Sequence, residues 1–451
     1  MSENRVDVKD QSVDSLEPLQ NKVIGLPEFA LRFKLHGELH GSPYELLTAP
    51  VQISHIALLS NRNKHYEELQ LIAQLCERYS APPPSPNSDY FSGAFGSFRL
   101  KWERHGEFSS YTFFVETTFD SPFVDTAINQ VPQEWLKKLP GEVVAAAHVV
   151  FEDKNQPVRS IDDLAKLFAS NTVVGAHVAA GSAIAWTDNK IHSDGFGRIL
   201  VHDIDLRRRQ AGRLVKRLLD IETYRILAML PVPLAKEYIP KLADFDTRLA
   251  ELTSRNIKLE CLDDEQRLLD ELNELSAEIE SISAATNHRF SASLSYYKIV
   301  QLRVSELREE RIKGLQMFHE FMEQRLSASM NSCEAVHQYL EKLSTRVNKA
   351  SGLLRARIDI AMEGQTSDLL RSMDSRANLQ LRLQQTVEGL SIVVLSYYLL
   401  GIVGYGLKAI KEMGVGLNVE FVTGLAIPIV FLLVFFSMRR IKRSVGHNVK
   451  K

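Results

Sequence analysis

Cysteine is scarce. Cys76, Cys261 and Cys333 stand far apart in 451 residues, with no CxxC pair among them. That set excludes a disulfide framework and a cysteine-built zinc site, and it suits a reducing compartment. Net charge is scarce as well. The 54 lysines and arginines nearly balance 56 aspartates and glutamates, so the global electrostatic footprint of a nucleic-acid-binding chain is missing. No P-loop, dinucleotide-type glycine pattern or Ser/His/Asp arrangement emerges. The nearest glycine cluster, GFGR at 195–198, reads as a hairpin turn. The first 20 residues are polar and acidic with no apolar core, which excludes a secretory signal. Nothing in these patterns calls for an enzyme.

Two apolar runs stand out near the C-terminus, LSIVVLSYYLLGIVGYGL (390–407) and FVTGLAIPIVFLLVFFSM (421–438), each free of charge. Each approaches the ~20 residues that cross a hydrocarbon core, and two such runs side by side rarely belong to a soluble interior. Arg439, Arg440, Lys442 and Arg443 follow the second run, and Arg371, Arg376 and Arg382 precede the first. The connector 408–420 balances Lys408 and Lys411 against Glu412 and Glu420. By the positive-inside rule the sequence predicts a multi-pass protein of the inner membrane, with both termini cytoplasmic and only the connector outside.

The remainder divides by character. Residues 1–22 read as a disordered tail, and 23–205 as an α/β cytoplasmic head. Strands are expected at 51–60, at 96–117 (a hairpin turning at RHGEF), at 142–152 and across 172–189. Helices are expected at 63–80 and 160–169, with APPPSPNSD (81–89) as an extended linker. From 206 to 388 strand signal fades and long amphipathic helices are expected as a stalk. Leu268, Leu272, Leu275, Ile279 and Ile282 keep helical spacing, as do Leu315, Phe318, Met322 and Leu326. A last helix from Leu353 to Leu407 would be roughly 80 Å long and needs partner helices, from its own chain or from copies. The fold class expected is an α/β cytoplasmic head, a long α-helical stalk and a C-terminal two-helix transmembrane hairpin (389–438), then a basic tail (439–451).

Several blocks resemble an uncharacterised bacterial family of predicted membrane-anchored proteins, among them RLLDIETYRILAMLPVPLA, SELREERIKGLQMFHEFMEQRL and LQLRLQQTVEGLSIVVLSYY. That resemblance covers nearly all of residues 30–407 and implies an inner-membrane architecture without a reaction. A second, architectural resemblance is to the CorA-type divalent-cation channels, in which a cytoplasmic α/β head sits on a stalk helix running into the membrane. Their first span ends in Tyr-Gly-Met-Asn at the outer mouth. The matching place here reads Tyr405-Gly406-Leu407-Lys408, and a Gly-x-Asn recurs at Gly416-Leu417-Asn418. The resemblance implies a homo-oligomer whose pore is lined or bounded by Ser396, Gly401, Gly404, Tyr405, Gly406, Lys408 and Asn418, conducting Mg2+ or another divalent cation. A ring of lysines at Lys408 would repel cations, and glycines in spans ordinarily serve close helix packing.

Two further clusters are candidates for chemistry. HGELH puts His36 and His40 around Glu38, at a spacing that two metal ligands share on one helix face; local hydrogen bonding in a loop is the plainer reading. HDIDLRRRQAGRLVKR joins Asp203 and Asp205, a candidate cation site, to Arg207, Arg208 and Arg209. Those arginines, with the basic tail, are candidate contacts to anionic lipid; a solvated helix face is again plainer. His55, on an apolar strand, reads as a satisfied core histidine. Two functions follow: a CorA-like ion channel or transporter, or a non-conducting membrane-anchored scaffold or sensor whose head binds a ligand or partner.

Overall fold

In the computed structural model the chain is described at residues 29, 32, 44–60, 64–86, 88–256, 261–412 and 419–447; the side chains of 410–412, 419, 439 and 441–447 are excepted. The tail 1–22, the His36/Glu38/His40 cluster and Asn418 lie outside the described residues. Contacts divide the chain into two compact units, Met1–Ala250 with Leu275–Val347, and Glu251–Glu274 with Asn348–Lys451.

The first unit is built on a nine-stranded sheet in the order β2-β3-β4-β1-β5-β8-β7-β6-β9. Its strands are β1 (Val51–Leu59), β2 (Tyr90–Phe95), β3 (Phe98–Arg104), β4 (Phe108–Val115), β5 (Glu142–Glu152), β6 (Val174–Val178), β7 (Ala183–Thr187), β8 (Gly197–Asp203) and β9 (Glu310–Arg311). All neighbours run antiparallel except β5 and β8. The stretch 172–189 is two strands rather than one, because Ala179, Ala180 and Gly181 take positive φ and reverse the chain. GFGR forms the entry to β8, with Gly195 at φ 84° in the turn.

Central strands β1 and β4 are buried on both faces, so their sequences read as nearly continuous apolar runs with small polar residues between. One face carries α1 (His65–Arg78) and α2 (Gln133–Leu136) over Ile56, Leu58, Phe98, Leu100, Trp102 and Phe113. A capping box from Ser160 to Asp163 starts α3 (Ile161–Leu167), whose Leu164 packs with Phe168 against Val150 and Trp186. The other face carries α4 (Arg208–Met229), joined by the end of α6 (Leu262–Glu306), by α7 (Phe318–Met322) and by the start of α8 (Ala328–Glu412). Between α4 and α6 runs α5 (Val232–Asn256), which contains Pro240. Burying about ten large side chains per face contributes on the order of 1.5–3 kcal/mol each, before chain entropy is subtracted.

The second unit contains residues 348–412 of α8 and the helix α9 (Val419–His447). Near its start Arg357 pairs with buried Glu265 at 2.7 Å. Both α8 and α9 include an 18-residue window apolar enough to cross a membrane, and only 6% of each window is buried within the chain. The chain is thus an N-terminal α/β sheet region followed by long helices, two of which have spanning length and composition.

Candidate functional site

Strand β3 alternates strictly. Phe98, Leu100 and Trp102 face α1, while Arg99, Lys101 and Glu103 face the opposite side. Alternation of this kind ordinarily puts the polar row in water. Here α4 covers it. Gly212 lets that helix approach, since a Cβ there would meet the Glu45 carbonyl oxygen within 1.8 Å. Beneath α4 lies a partly open pocket of about 40 Å³ walled by Glu45, His55, Lys101, Glu103, Lys216 and Asp220. At roughly 10–15 Å³ per enclosed water, it has room for a few waters or one small ion.

Lys101 and Lys216 both reach the same oxygen of Glu103, Oε1, at 3.1 and 3.0 Å. One helical turn beyond Lys216, Asp220 accepts from Arg303 Nε at 2.9 Å, and Arg303 shares Glu306 with Arg217. Burial pulls Lys101 below the usual lysine range, against the pull of Glu103. Burial acts on Lys216 too, but Asp220 and Glu103 outweigh it and hold its ammonium above that range. Asp220 is pushed up by burial, despite Lys216 and Arg303. Glu45, on the same wall, pairs with Arg99 at 2.7 Å, and the wall itself sets Lys101 and Lys216 against Glu45, Glu103 and Asp220. His55 closes the floor, with Nδ1 2.8 Å from Thr112 Oγ1 and Nε2 3.0 Å from Thr223 Oγ1. Burial takes its pKa down to about 3, and that of His105, stacked on Phe108, to about 4. Both rings are neutral near pH 7.

A second constellation forms between β1 and β5. Ser54 Oγ lies 2.9 Å from His148 Nδ1, and His148 Nε2 lies 4.0 Å from Asp194 Oδ2. These residue types are those of a nucleophilic triad, yet Ser54 is fully buried and its oxygen also accepts the Ile128 N–H. The set joins β1, β5 and the β7–β8 turn. At the other end of β5, Glu152 is held by two bonds from Arg159, and its free oxygen stands 3.8 Å from His202 Nδ1.

The residues singled out by sequence are dispersed. Asp203 accepts from the Leu206 N–H and Asp205 is exposed; among the described residues no group of three or more His, Cys, Asp or Glu could hold a metal ion. Arg207, Arg208 and Arg209 are exposed around the α4 N-terminus, whose partial positive charge disfavours them. Lys216 and Arg217 of the same basic run turn inward to the network just described. In the candidate first span Ser396 is buried and donates to the Ile392 carbonyl at 2.7 Å. Tyr405, Gly406 and Lys408 are exposed, and Gly401, Gly404 and Gly406 have open space where a Cβ would stand. Of the basic tail, Arg440 is exposed, and the side chains of Arg439, Lys442 and Arg443 lie outside the description. Sequence reading missed Lys101, Glu103 and Asp220, because the two strand charges look like ordinary surface charges until α4 is seen to cover them, and Asp220 looks like a solvated charge on that helix until it is seen to face them.

No curated protein and no solved structure matches the chain significantly. A family model does match over residues 27–445. On that match the chain belongs to the DUF3422 family, described as proteins of unknown function.

Proposed function

We propose that this chain is a membrane-anchored sensor whose head takes up a small monovalent anion in the pocket beneath α4. The observation that carries this reading is the pair of ammonium groups of Lys101 and Lys216, brought together on one oxygen of Glu103 at the wall of a space of ion size. A small anion there meets two ammonium groups in a low-dielectric setting, where a charge-assisted hydrogen bond is worth about twice a neutral one. The anchor is the pair of apolar windows in α8 and α9, inserted in the inner membrane with both termini cytoplasmic and 408–420 outside. The test is thermal unfolding of the full chain in nanodiscs with nitrate, bicarbonate or formate at constant ionic strength. Saturable stabilisation by one of them, lost in Lys101→Met, supports the reading. Identical curves in all of them defeat it.

The CorA-like reading is favoured by one observation of its own: α8 is unbroken from Ala328 to Glu412, so a single helix joins the head unit to the candidate span. Such a helix would transmit a movement of the head to a pore built by several first spans, passing Mg2+ or another divalent cation. Purified protein in liposomes, wild type and Lys408→Asn, decides it. Divalent flux that rises when Lys408 becomes Asn supports a channel; absence of flux in both leaves the sensor.

A further inference from the structure

From residue 362 to residue 387 every position of α8 is exposed, although the stretch is rich in leucine and methionine. Most of the apolar residues follow spacings of four and three; Leu370, Leu379 and Leu381 fall outside them. Numbered as a heptad, Met362, Leu369, Leu383 and Leu390 take d, and Met373, Val387 and Val394 take a, with Thr366 and Gln380 at the remaining a places. Charges avoid this stripe. Asp368, Arg371, Asp374, Arg382 and Glu388 fall at the outer b, c and f positions, leaving Glu363 at e and Arg376 at d as the exceptions. A repeat of 3.5 residues sustained over more than four heptads marks a left-handed seam between helices.

We propose that residues 362–394 form a parallel coiled coil with copies of this same chain, in a bundle of more than two helices. Three features select that occupant. The five outer charges between 368 and 388 exclude lipid as the cover of this part of the helix. Past the polar places at Thr366, Arg376 and Gln380 the seam keeps one register into the apolar window through Leu390 and Val394, so anchored copies present it side by side in the same direction. The flanking e and g positions include Leu370, Ala377, Leu379 and Val393 rather than the charged pairs typical of a two-stranded coil. That widened apolar face needs more than one neighbour. Arg376 then contributes one guanidinium per copy to a single layer of the seam, the polar exception that fixes register at a cost in stability.

The experiment uses the full chain in nanodiscs with Cys261 replaced by Ser, since Cys76 and Cys333 are buried. Single variants Leu369→Cys, Met373→Cys and Arg371→Cys are treated with a short bismaleimide, and the assembly mass is measured in parallel. Linking between copies at 369 and 373 but not at 371, with a mass of three or more copies, is the expected result. Equal linking at 371, a monomeric or dimeric mass, or capture of a different protein at 369 overturns the proposal. Arg376→Leu is expected to raise the resistance of the assembly to detergent dissociation by more than twofold; a drop places Arg376 outside the seam. The inference rests on membrane insertion of α8, which carbonate extraction checks separately. It is independent of the anion reading, whose thermal assay can fail while the cross-links form.

Discussion

At the scale of single residues, the head is governed by groups buried with their charge or their proton settled. His55, His105 and His148 have their pKa values lowered by burial, to about 3, 4 and 4. Each is neutral when folded and binds a proton more readily when unfolded. Their contribution is therefore full above about pH 6.5 and is lost as pH falls towards 4, by at most about 1.4 kcal/mol per pH unit for each ring. Thermal denaturation at pH 7, 6 and 5 should show a falling Tm, with a shallower slope in His55→Gln; a Tm independent of pH would contradict the assignment. Glu103 holds two lysines on one oxygen, and Glu103→Gln leaves them facing each other in the interior. A loss of about 3–5 kcal/mol is expected, read from the denaturant midpoint. The triple variant Lys101→Met, Glu103→Leu, Lys216→Met should recover most of it, because an apolar replacement leaves no unpaired charge. Gly212→Ala forces α4 away from the Glu45 carbonyl and should cost about 1–3 kcal/mol in the same measurement.

At the scale of elements, strand positions were legible where alternation or apolar runs announced them. The expected strands at 51–60 and 142–152 match β1 and β5, and the hairpin at RHGEF matches the β3–β4 turn. β9 was not legible, since two residues within a helical stretch carry no period; only its pairing with β6 makes it a strand. Leu268, Leu272, Leu275 and Ile279 and Phe318, Met322 and Leu326 are buried as helical spacing requires, whereas Ile282 is half-buried and Leu315, expected in the same helical stripe, lies in a turn before α7. The stripe of 362–394 obeys the same spacing and is exposed, the difference that motivates a partner. Element-level membrane attachment has a direct test. A chain ending at residue 388 should leave the membrane fraction for the soluble one, whereas persistence in the membrane would assign anchoring to the head.

At the scale of the whole molecule, the two compact units divide the functional questions. The unit that includes the sheet holds the ionic pocket, and the unit that includes α9 carries both apolar windows. On the proposed reading, sensing and anchoring would be separable on that division. Lys101→Met should abolish anion stabilisation without changing membrane retention, and a simultaneous loss of both would count against it.

The sequence by itself determined the α/β region, the long helices and the two windows of spanning length, because periodicity and apolar run length are local properties of the chain. It also marked His55 as a satisfied core group, since a lone histidine in an apolar strand needs partners at both nitrogens. Only the tertiary structure decided that the polar row of β3 is an interior surface. Alternation states that a strand has two unlike faces; it does not state what covers each. The helix that covers Lys101 and Glu103 begins more than a hundred residues later, and its approach depends on a missing side chain at Gly212.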